Sequence, residues 1–150
     1  MDRVEKSALV PYSSQQMYAL ASDVPGYQNF LPWCGGSRYL QEGELENVGE
    51  VDIAFKGVKQ SFATRNQLTP GRAIEMSLVK GPFKQLKGRW GFEPLSDEAC
   101  KVSLLVEFEF SSRIVAMAIG PLFSQITASM VDAFVKRAQE VYSNGSSNFI

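Results

Sequence analysis

The chain has 150 residues, of which 45% are hydrophobic and 21% are charged. These values are typical of one folded domain with a single core, and they exclude collagen-like, coiled-coil and disordered proteins. Fifteen basic and sixteen acidic residues leave a net charge of −1, so overall charge indicates no nucleic-acid partner. Histidine is absent, which excludes Ser-His-Asp and Cys-His catalytic sites and HExxH zinc sites.

The cysteines and the residues after Met1 indicate the cellular compartment that we expect for this protein. Cys34 and Cys100 are expected to be reduced thiols, because no apolar leader segment follows Met1. No apolar stretch is expected to approach the roughly 18 residues of a membrane span. The sequence therefore predicts a cytoplasmic protein with no transmembrane segment, whose contact with the inner membrane would be peripheral.

The first forty residues predict a strand followed by two short helices. Residues 3–10 alternate loosely and stop at Pro11, which is typical of a strand. Ser13 or Ser14 can cap a short helix that ends near Pro25-Gly26, and a second helical turn is predicted around residues 27–31.

Residues 39–110 have the two-residue period of β-strands. Turn residues interrupt the pattern at Gly43, Gly57, Pro70-Gly71, Gly81-Pro82 and Ser96-Asp97, which predicts five or six antiparallel strands. The last strand alternates most clearly, because one face is apolar along its whole length: Val102, Leu104, Val106, Phe108 and Phe110.

The period then changes to that of a helix, with an apolar stripe from Ile119 to Val141. Gly120-Pro121 is expected to divide a short lead-in from the main helix. The prediction is an α+β fold in which a curved antiparallel sheet of six to seven strands grips a long C-terminal helix. Residues 1–143 would form the domain and residues 144–150 a flexible tail.

Six segments, in this order and spread over almost the whole chain, resemble a known family. They are 9–13 (LVPYS), 27–34 (YQNFLPWC), 64–69 (TRNQLT), 81–90 (GPFKQLKGRW), 108–110 (FEF) and 130–142 (MVDAFVKRAQEVY). Together they resemble the START-like, helix-grip superfamily of polyketide cyclases and lipid-transport proteins. Within it they are similar to the coenzyme Q-binding family, including its ribosome-association-toxin subgroup.

The resemblance implies two functions. One is binding of ubiquinone or another polyprenyl lipid in support of respiration, and the other is binding of the large ribosomal subunit so that subunit joining is blocked. A ribosome-binding inhibitor without a physiological lipid is one alternative. The other is a cyclase-like enzyme, with Glu107, Glu109, Asp132 or Tyr142 as candidate acids. Because Glu107 and Glu109 are expected to face outward, we predict no enzyme, no catalytic cofactor and no metal site.

A lipid pocket is predicted on the inward faces of the sheet and helix, with a plain core as the alternative for each aromatic residue. Polar residues in phase with apolar ones favour the pocket: Thr64 and Asn66 in the sheet, and Gln125 and Ser129 near the helix stripe. The predicted lining residues are Phe30, Leu31, Trp33, Phe55, Phe62, Thr64, Asn66, Met76, Phe83, Leu86, Trp90, Phe92, Phe108, Phe110, Met117, Phe123, Ile126, Met130 and Phe134.

Two further features remain open between a functional and a structural interpretation. Residues 27–36 are either a mobile lid hinged at Gly35-Gly36 or a short helix packed on the sheet. Residues 56–89 contain eight bases and one acid, and four of the bases share the outward parity: Lys59, Arg65, Lys87 and Arg89. These four are expected to contact ribosomal RNA phosphates or anionic lipid head groups, unless they only form a solvated sheet face.

Overall fold

A computed structural model describes residues 1–143 and contains one seven-stranded antiparallel sheet and one long helix. The strand order is β1-β7-β6-β5-β4-β3-β2. The strands are β1 (Asp2–Val10), β2 (Cys34–Gln41), β3 (Glu46–Phe55), β4 (Val58–Thr69), β5 (Ala73–Lys80), β6 (Phe83–Ser96) and β7 (Ala99–Phe110). The helices are α1 (Ser14–Ser22), a 3-10 helix (Val24–Asn29), α2 (Arg113–Ala138) and a π-helical turn (Gln139–Ser143). The predicted fold class is therefore confirmed, whereas the predicted tail lies outside the described residues.

Short turns produce most of this topology. Each strand from β3 to β7 pairs with the strand before it. Four of the five predicted turn positions lie between strands, and the fifth, Ser96-Asp97, begins at the last residue of β6. The two-residue turn between β3 and β4 has positive φ angles at Lys56 (51°) and Gly57 (80°). Glycine adopts this conformation without steric cost, so the hairpin closes there.

Side-chain caps mark where the two α-helices begin. The Ser13 hydroxyl accepts a hydrogen bond from the Gln16 backbone N–H, and the Gln16 side chain accepts one from the Ser13 N–H. Ser112 caps α2 in the same way, through the N–H of Val115. Each cap satisfies backbone donors that the first helical turn leaves without partners.

The predicted break at Gly120-Pro121 is wrong, because α2 runs through it without interruption. Proline removes the backbone hydrogen bond to the carbonyl four residues earlier, which belongs to Met117. Met117 and Pro121 both lie on the exposed side of α2, so water can replace the missing donor. Ile119 and Phe123, on either side of the proline, are buried on the sheet and favour a continuous helix.

The composition of α2 also corrects the expectation about membrane spans. Residues 114–131 carry no charged side chain, and by length and composition the helix could cross a bilayer. One such helix is weak evidence, since the long helix of a sheet-packed core has the same composition. Here its buried stripe packs on the concave face of the sheet.

Candidate functional site

Two clusters of aromatic rings hold α2 on the sheet. Phe123 packs edge-on or tilted against rings of four strand residues: Phe62, Phe83, Phe108 and Phe110. Three turns further along, Phe134 packs against Tyr27, Phe30 and Trp90. The helix is therefore fixed at two points, with a stretch between them that carries smaller side chains.

A cavity of about 100 Å³ lies along that stretch, between α2 and the concave face of the sheet. From α2 it is lined by Phe123, Ile126, Thr127 and Met130. The strands contribute mainly apolar side chains. Two glycines, Gly49 and Gly88, also belong to this inward-facing wall. Ligand pockets for molecules of drug size are usually 300 Å³ or larger. The cavity can therefore hold part of a large guest and cannot enclose the whole of it in this conformation.

The two glycines make room for their neighbours in the cavity wall. A Cβ atom on Gly49 would lie 3.0 Å from Cγ2 of Val24, which is the first residue of the 3-10 helix. A Cβ atom on Gly88 would lie 2.6 Å from the terminal methyl of Met76. Gly49 thus permits the 3-10 helix to approach the sheet closely. Over Gly88 the space is taken by a flexible methionine, a side chain that adapts easily to a different occupant.

Three polar side chains in the cavity wall form a connected network. The Thr64 hydroxyl donates to Oδ1 of Asn66 (2.7 Å), and Nδ2 of Asn66 donates to Oδ1 of Asn47 (2.8 Å). Asn47 and Asn66 are each 5% exposed. Asn66, whose burial suggested a polar guest, therefore has protein partners. Within residues 1–143, no acceptor is found for the side-chain amide of Asn47, which leaves a donor for a guest or for water.

The indole of Trp33, a residue of the cavity wall, carries a second donor without a partner among the described residues. Trp33 is 5% exposed and lines the cavity, and its Nε1 is buried without a hydrogen-bond partner among the described residues. A buried N–H without an acceptor costs about 1–3 kcal/mol. Because this nitrogen is itself enclosed, a bound molecule recovers that free energy only if side chains shift so that its acceptor atom reaches Nε1.

The segment 27–36 is packed and not arranged as a hinged flap. Its first residues end the 3-10 helix, and β2 begins at Cys34, so that Gly35 and Gly36 lie within a strand. Tyr27, Leu31 and Trp33 are buried in the core. Of the two interpretations, the structure corresponds to the packed one.

Ten of the nineteen predicted lining residues border the cavity. They are Trp33, Phe62, Thr64, Asn66, Met76, Leu86, Trp90, Phe123, Ile126 and Met130. Six others are buried in the core away from it: Leu31, Phe83, Phe92, Phe108, Phe110 and Phe134. Phe30 and Phe55 are half-buried and pack against the core. The assignment of binding roles to these residues stays a prediction.

Met117, the remaining predicted lining residue, is wrongly placed by the sequence pattern. It is 77% exposed, because it lies on the opposite side of α2 from Ile119 and Phe123. Gln125 and Ser129 are likewise exposed, and the polar residue that faces the cavity from the helix is Thr127. Its hydroxyl donates to the carbonyl of Phe123 at 3.0 Å, so it is satisfied without a guest.

The sequence pattern also missed several residues of the cavity wall. Asn47 and Thr127 were missed because neither lies in a clear apolar alternation. Four other missed residues were in phase with predicted lining residues, so their parity could have identified them: Val51, Ile74, Leu104 and Val106.

Cys34 and Cys100 are free thiols and both are buried. Burial raises the pKa of each thiol, since the charged thiolate is poorly solvated there. Thiols of this kind are unsuited to nucleophilic chemistry.

The four outward bases are on the outer face of the sheet as their parity predicted, but two of them are in ion pairs. Arg65 contacts Glu46 (3.1 Å) and Arg89 contacts Glu75 (2.6 Å). Lys59 and Lys87 have no ion pair in the described part of the chain. All four pairing groups are about half exposed, so these ion pairs are weak and exchangeable.

A second charged group lies near the outer edge of the sheet, on β2 and β3. Arg38 contacts Glu50 and lies 2.5 Å from Asp52, and Lys80 lies 2.8 Å from Glu50. The Lys80 ammonium, followed by Arg38, holds the pKa of Glu50 below its usual value. Arg38, followed by the Ser61 hydroxyl, does the same for the pKa of Asp52. These carboxylates are stabilised in the charged form, which is unsuitable for general acids.

The candidate acids are not gathered into an enclosed site. Glu107 and Glu109 are partly exposed on the outer face, Glu109 lies 3.7 Å from Lys84, and Asp132 is on the exposed side of α2. The Tyr142 hydroxyl donates to the backbone carbonyl of Gln16 (2.8 Å). Among residues 1–143 there is no group of acids and cysteines that could hold a metal ion. The described geometry offers a binding cavity without an acid–base pair in it.

This fold, a sheet wrapped around one helix with a cavity between them, is that of the START-like proteins. Residues 10–135 match the profile of the family described as polyketide cyclase / dehydrase and lipid transport. The ribosome association toxin RatA of Vibrio cholerae is 50% identical over 142 residues, covering 95% of this chain and 99% of that protein. The chain therefore belongs to this family and, within it, to the group of proteins named ribosome association toxin RatA.

More distant relatives widen the comparison. The mitochondrial coenzyme Q-binding protein COQ10 homolog B of Xenopus laevis is 28% identical over 141 residues, covering 91% of this chain and 58% of that protein. The Zhui aromatase/cyclase from Streptomyces sp. R1128 has the same fold, with a TM-score of 0.82 and 18% identity over 96% of this chain and 98% of that one. At that identity the cyclase supports the fold and not the reaction.

Proposed function

We propose that this protein associates with the large ribosomal subunit and inhibits subunit joining, as a non-enzymatic protein of the cytoplasm. The observation that carries the proposal is the 50% identity to a ribosome association toxin over almost the full length of both chains. A match of this extent leaves no room for a separate domain to supply the activity in that relative.

The outer face of the sheet supplies a contact surface for ribosomal RNA. Lys59 and Lys87 are free to meet phosphates, and Arg65 and Arg89 can exchange their exposed carboxylate partners for phosphates. Such contacts weaken as salt rises, because they release counterions from the RNA. Because the net charge of the whole chain is only −1, attraction to RNA would have to come from a local patch such as these four bases.

The test is sedimentation of the purified protein with ribosomal subunits at several salt concentrations. The variant Lys59→Glu/Lys87→Glu should lose most of its binding to the large subunit and should no longer reduce subunit joining. A matched control reverses two exposed bases on the helix side, Lys6→Glu/Lys136→Glu, and should bind normally. Equal binding by both variants would exclude the outer face, and no binding by the unmodified protein would exclude the proposed function.

A second function, binding of a hydrophobic guest, is supported by the cavity itself. Its wall is almost entirely apolar, and the unpaired Trp33 N–H suits a molecule with a carbonyl or ether oxygen on an apolar body. Ubiquinone, or another polyprenyl lipid with a similar head, has that chemistry and would connect the protein to respiration. The similarity to a coenzyme Q-binding protein favours this class of guest.

Size limits how such a guest is bound. A void of about 150 Å³ is enough for benzene, so about 100 Å³ is too small for a quinone ring with a prenyl tail. The guest would have to displace flexible parts of the wall, of which the Met76 and Met130 side chains are the easiest to move. We therefore expect guest binding to change the structure around α2.

Solvent extraction of protein purified from quinone-containing cells, followed by mass spectrometry, tests this second function. A quinone or polyprenyl lipid present in near-stoichiometric amount supports it. Titration with a one-isoprene ubiquinone should quench the fluorescence of Trp33 and Trp90, which both line the cavity. Extraction of no lipid, together with unchanged fluorescence, would leave a ribosome-binding inhibitor without a lipid ligand.

A further inference from the structure

The N-terminal half of α2 carries an apolar surface that the sheet does not cover. Ile114 is 80% exposed and Met117 is 77% exposed, and Ala118 and Pro121 next to them are exposed as well. Their spacing of three, four and seven residues places them in one row along the helix. We name this row of Ile114, Met117, Ala118 and Pro121 the α2 stripe.

The part of α2 that carries the α2 stripe contains no charged residue. No acidic or basic residue occurs from Ile114 to Val131, and only 28% of the most apolar window of the helix is buried within the described residues. Exposed apolar side chains on a folded protein are usually scattered singly, and a contiguous row marks a surface that meets another apolar phase. The side of α2 opposite the cavity therefore has the composition of an interface.

Sheet topology places cations at the end of the molecule where this row begins. The start of α2, the β3–β4 turn and the β5–β6 turn all lie at the same end of the antiparallel sheet, because β3, β5 and β7 end where β4 and β6 begin. Lys56, Lys84 and Arg113 are exposed at this end. The acids that accompany them there are Asp2 and Glu109, and Glu109 lies 3.7 Å from Lys84.

We propose that the α2 stripe is a docking surface for an anionic phospholipid bilayer. A helix with an apolar row and flanking cations lies in the plane of the membrane interface, with the apolar side chains in the boundary between head groups and acyl chains. Ile114 and Met117 would enter that boundary, while Arg113, next to the row in sequence, and Lys56, at the same end of the sheet, meet lipid phosphates. The cavity lies on the other side of the same helix, so a docked protein holds it close to the bilayer.

Charge favours a lipid surface over a second copy of the chain. A second copy of the chain would cover the apolar stripe but offer no anion to Arg113 and Lys56, because residues 114–131 of α2 contain no acid. The stripe is also narrow compared with the roughly 800 Å² that each partner contributes to a stable interface. A bilayer with anionic head groups satisfies both the apolar row and its cations.

The experiment is flotation of the full chain with vesicles of phosphatidylcholine alone and of phosphatidylcholine with 30% phosphatidylglycerol. The unmodified protein should float with the anionic vesicles, and less so as salt rises. Ile114→Glu and Met117→Glu should each weaken partitioning by about tenfold or more, since each removes one buried apolar side chain from the interface. Both positions are exposed, so the variants should fold normally, which their circular dichroism and melting temperature check.

The control replaces exposed leucines at the opposite end of the sheet. Leu9 is 72% exposed and Leu45 is 63% exposed, and Leu9→Glu/Leu45→Glu should float like the unmodified protein. Failure of the unmodified protein to float with anionic vesicles, or flotation that survives Ile114→Glu/Met117→Glu, would overturn the proposal. So would a dimer in sedimentation velocity that these two substitutions convert to a monomer.

Discussion

Filling the cavity with a larger side chain tests whether the space between sheet and helix is a real void. Val106 is 7% exposed on β7, lines the cavity and pairs across the strands with Gly88, over which only the flexible Met76 side chain lies. Destabilisation grows by about 24 cal/mol per Å³ of empty volume, so a void of about 100 Å³ costs about 2.4 kcal/mol. Val106→Phe adds four carbon atoms to this space.

We expect Val106→Phe to raise the free energy of unfolding by about 1 to 2 kcal/mol in protein freed of lipid. For a chain of this size that corresponds to roughly 2–8 °C in melting temperature. The same variant should lose the fluorescence response to a one-isoprene ubiquinone, because the ring occupies the guest's space. Urea denaturation and the fluorescence titration measure both effects on one sample.

Val102 provides a control on the same strand and the same face. It is fully buried and does not line the cavity, so Val102→Phe has no void to enter and should destabilise the protein by about 1–3 kcal/mol. Equal destabilisation by the two substitutions would refute the reasoning, since it would mean that the space beside Val106 is already filled.

Three other predictions concern the core, the charged edge of the sheet and the thiols. Phe134→Ala should cost about 3–5 kcal/mol in urea denaturation, because this ring anchors one end of α2 and is 1% exposed. Glu50 and Asp52 have lowered pKa values, so their contribution to stability is present above about pH 4.5 and is lost as the pH falls through their folded-state pKa values. Arg38→Ala should therefore flatten the acid limb of stability against pH, and an unchanged slope would contradict this assignment. The thiol of Cys34 should react with a thiol reagent at pH 7 only on unfolding, because burial raises its pKa; rapid reaction of the native protein would be evidence against it.

Local patterns were sufficient to predict the fold class. Two-residue alternation and the turn residues between strands predicted the sheet, and the change to helical spacing after Phe110 predicted the long helix. The break at Gly120-Pro121 was predicted wrongly, because a proline's effect depends on whether the carbonyl it leaves unpaired can reach water. That property is set by which side of α2 faces the sheet.

The site was predicted only in part. Parity places Phe62, Thr64 and Asn66 on the inward face, and the structure places all three beside the cavity. Parity cannot distinguish a residue beside a void from one packed in solid core, which is why Phe108 and Phe134 were included with them. Met117 was included with Met76 and Met130 as an adaptable methionine, although it lies on the exposed side of α2.

The sequence by itself determined the elements, their order and the inward or outward parity of most strand residues, because these follow from backbone periods and turn chemistry within a few residues. Only the tertiary structure decided where side chains leave space, which bases are already paired and which side of α2 stays uncovered. The cavity lies between α2 and a sheet wall that includes Gly49 and Gly88, which are on separate strands. Such a volume depends on distances between elements far apart in the chain, and local patterns do not encode those distances.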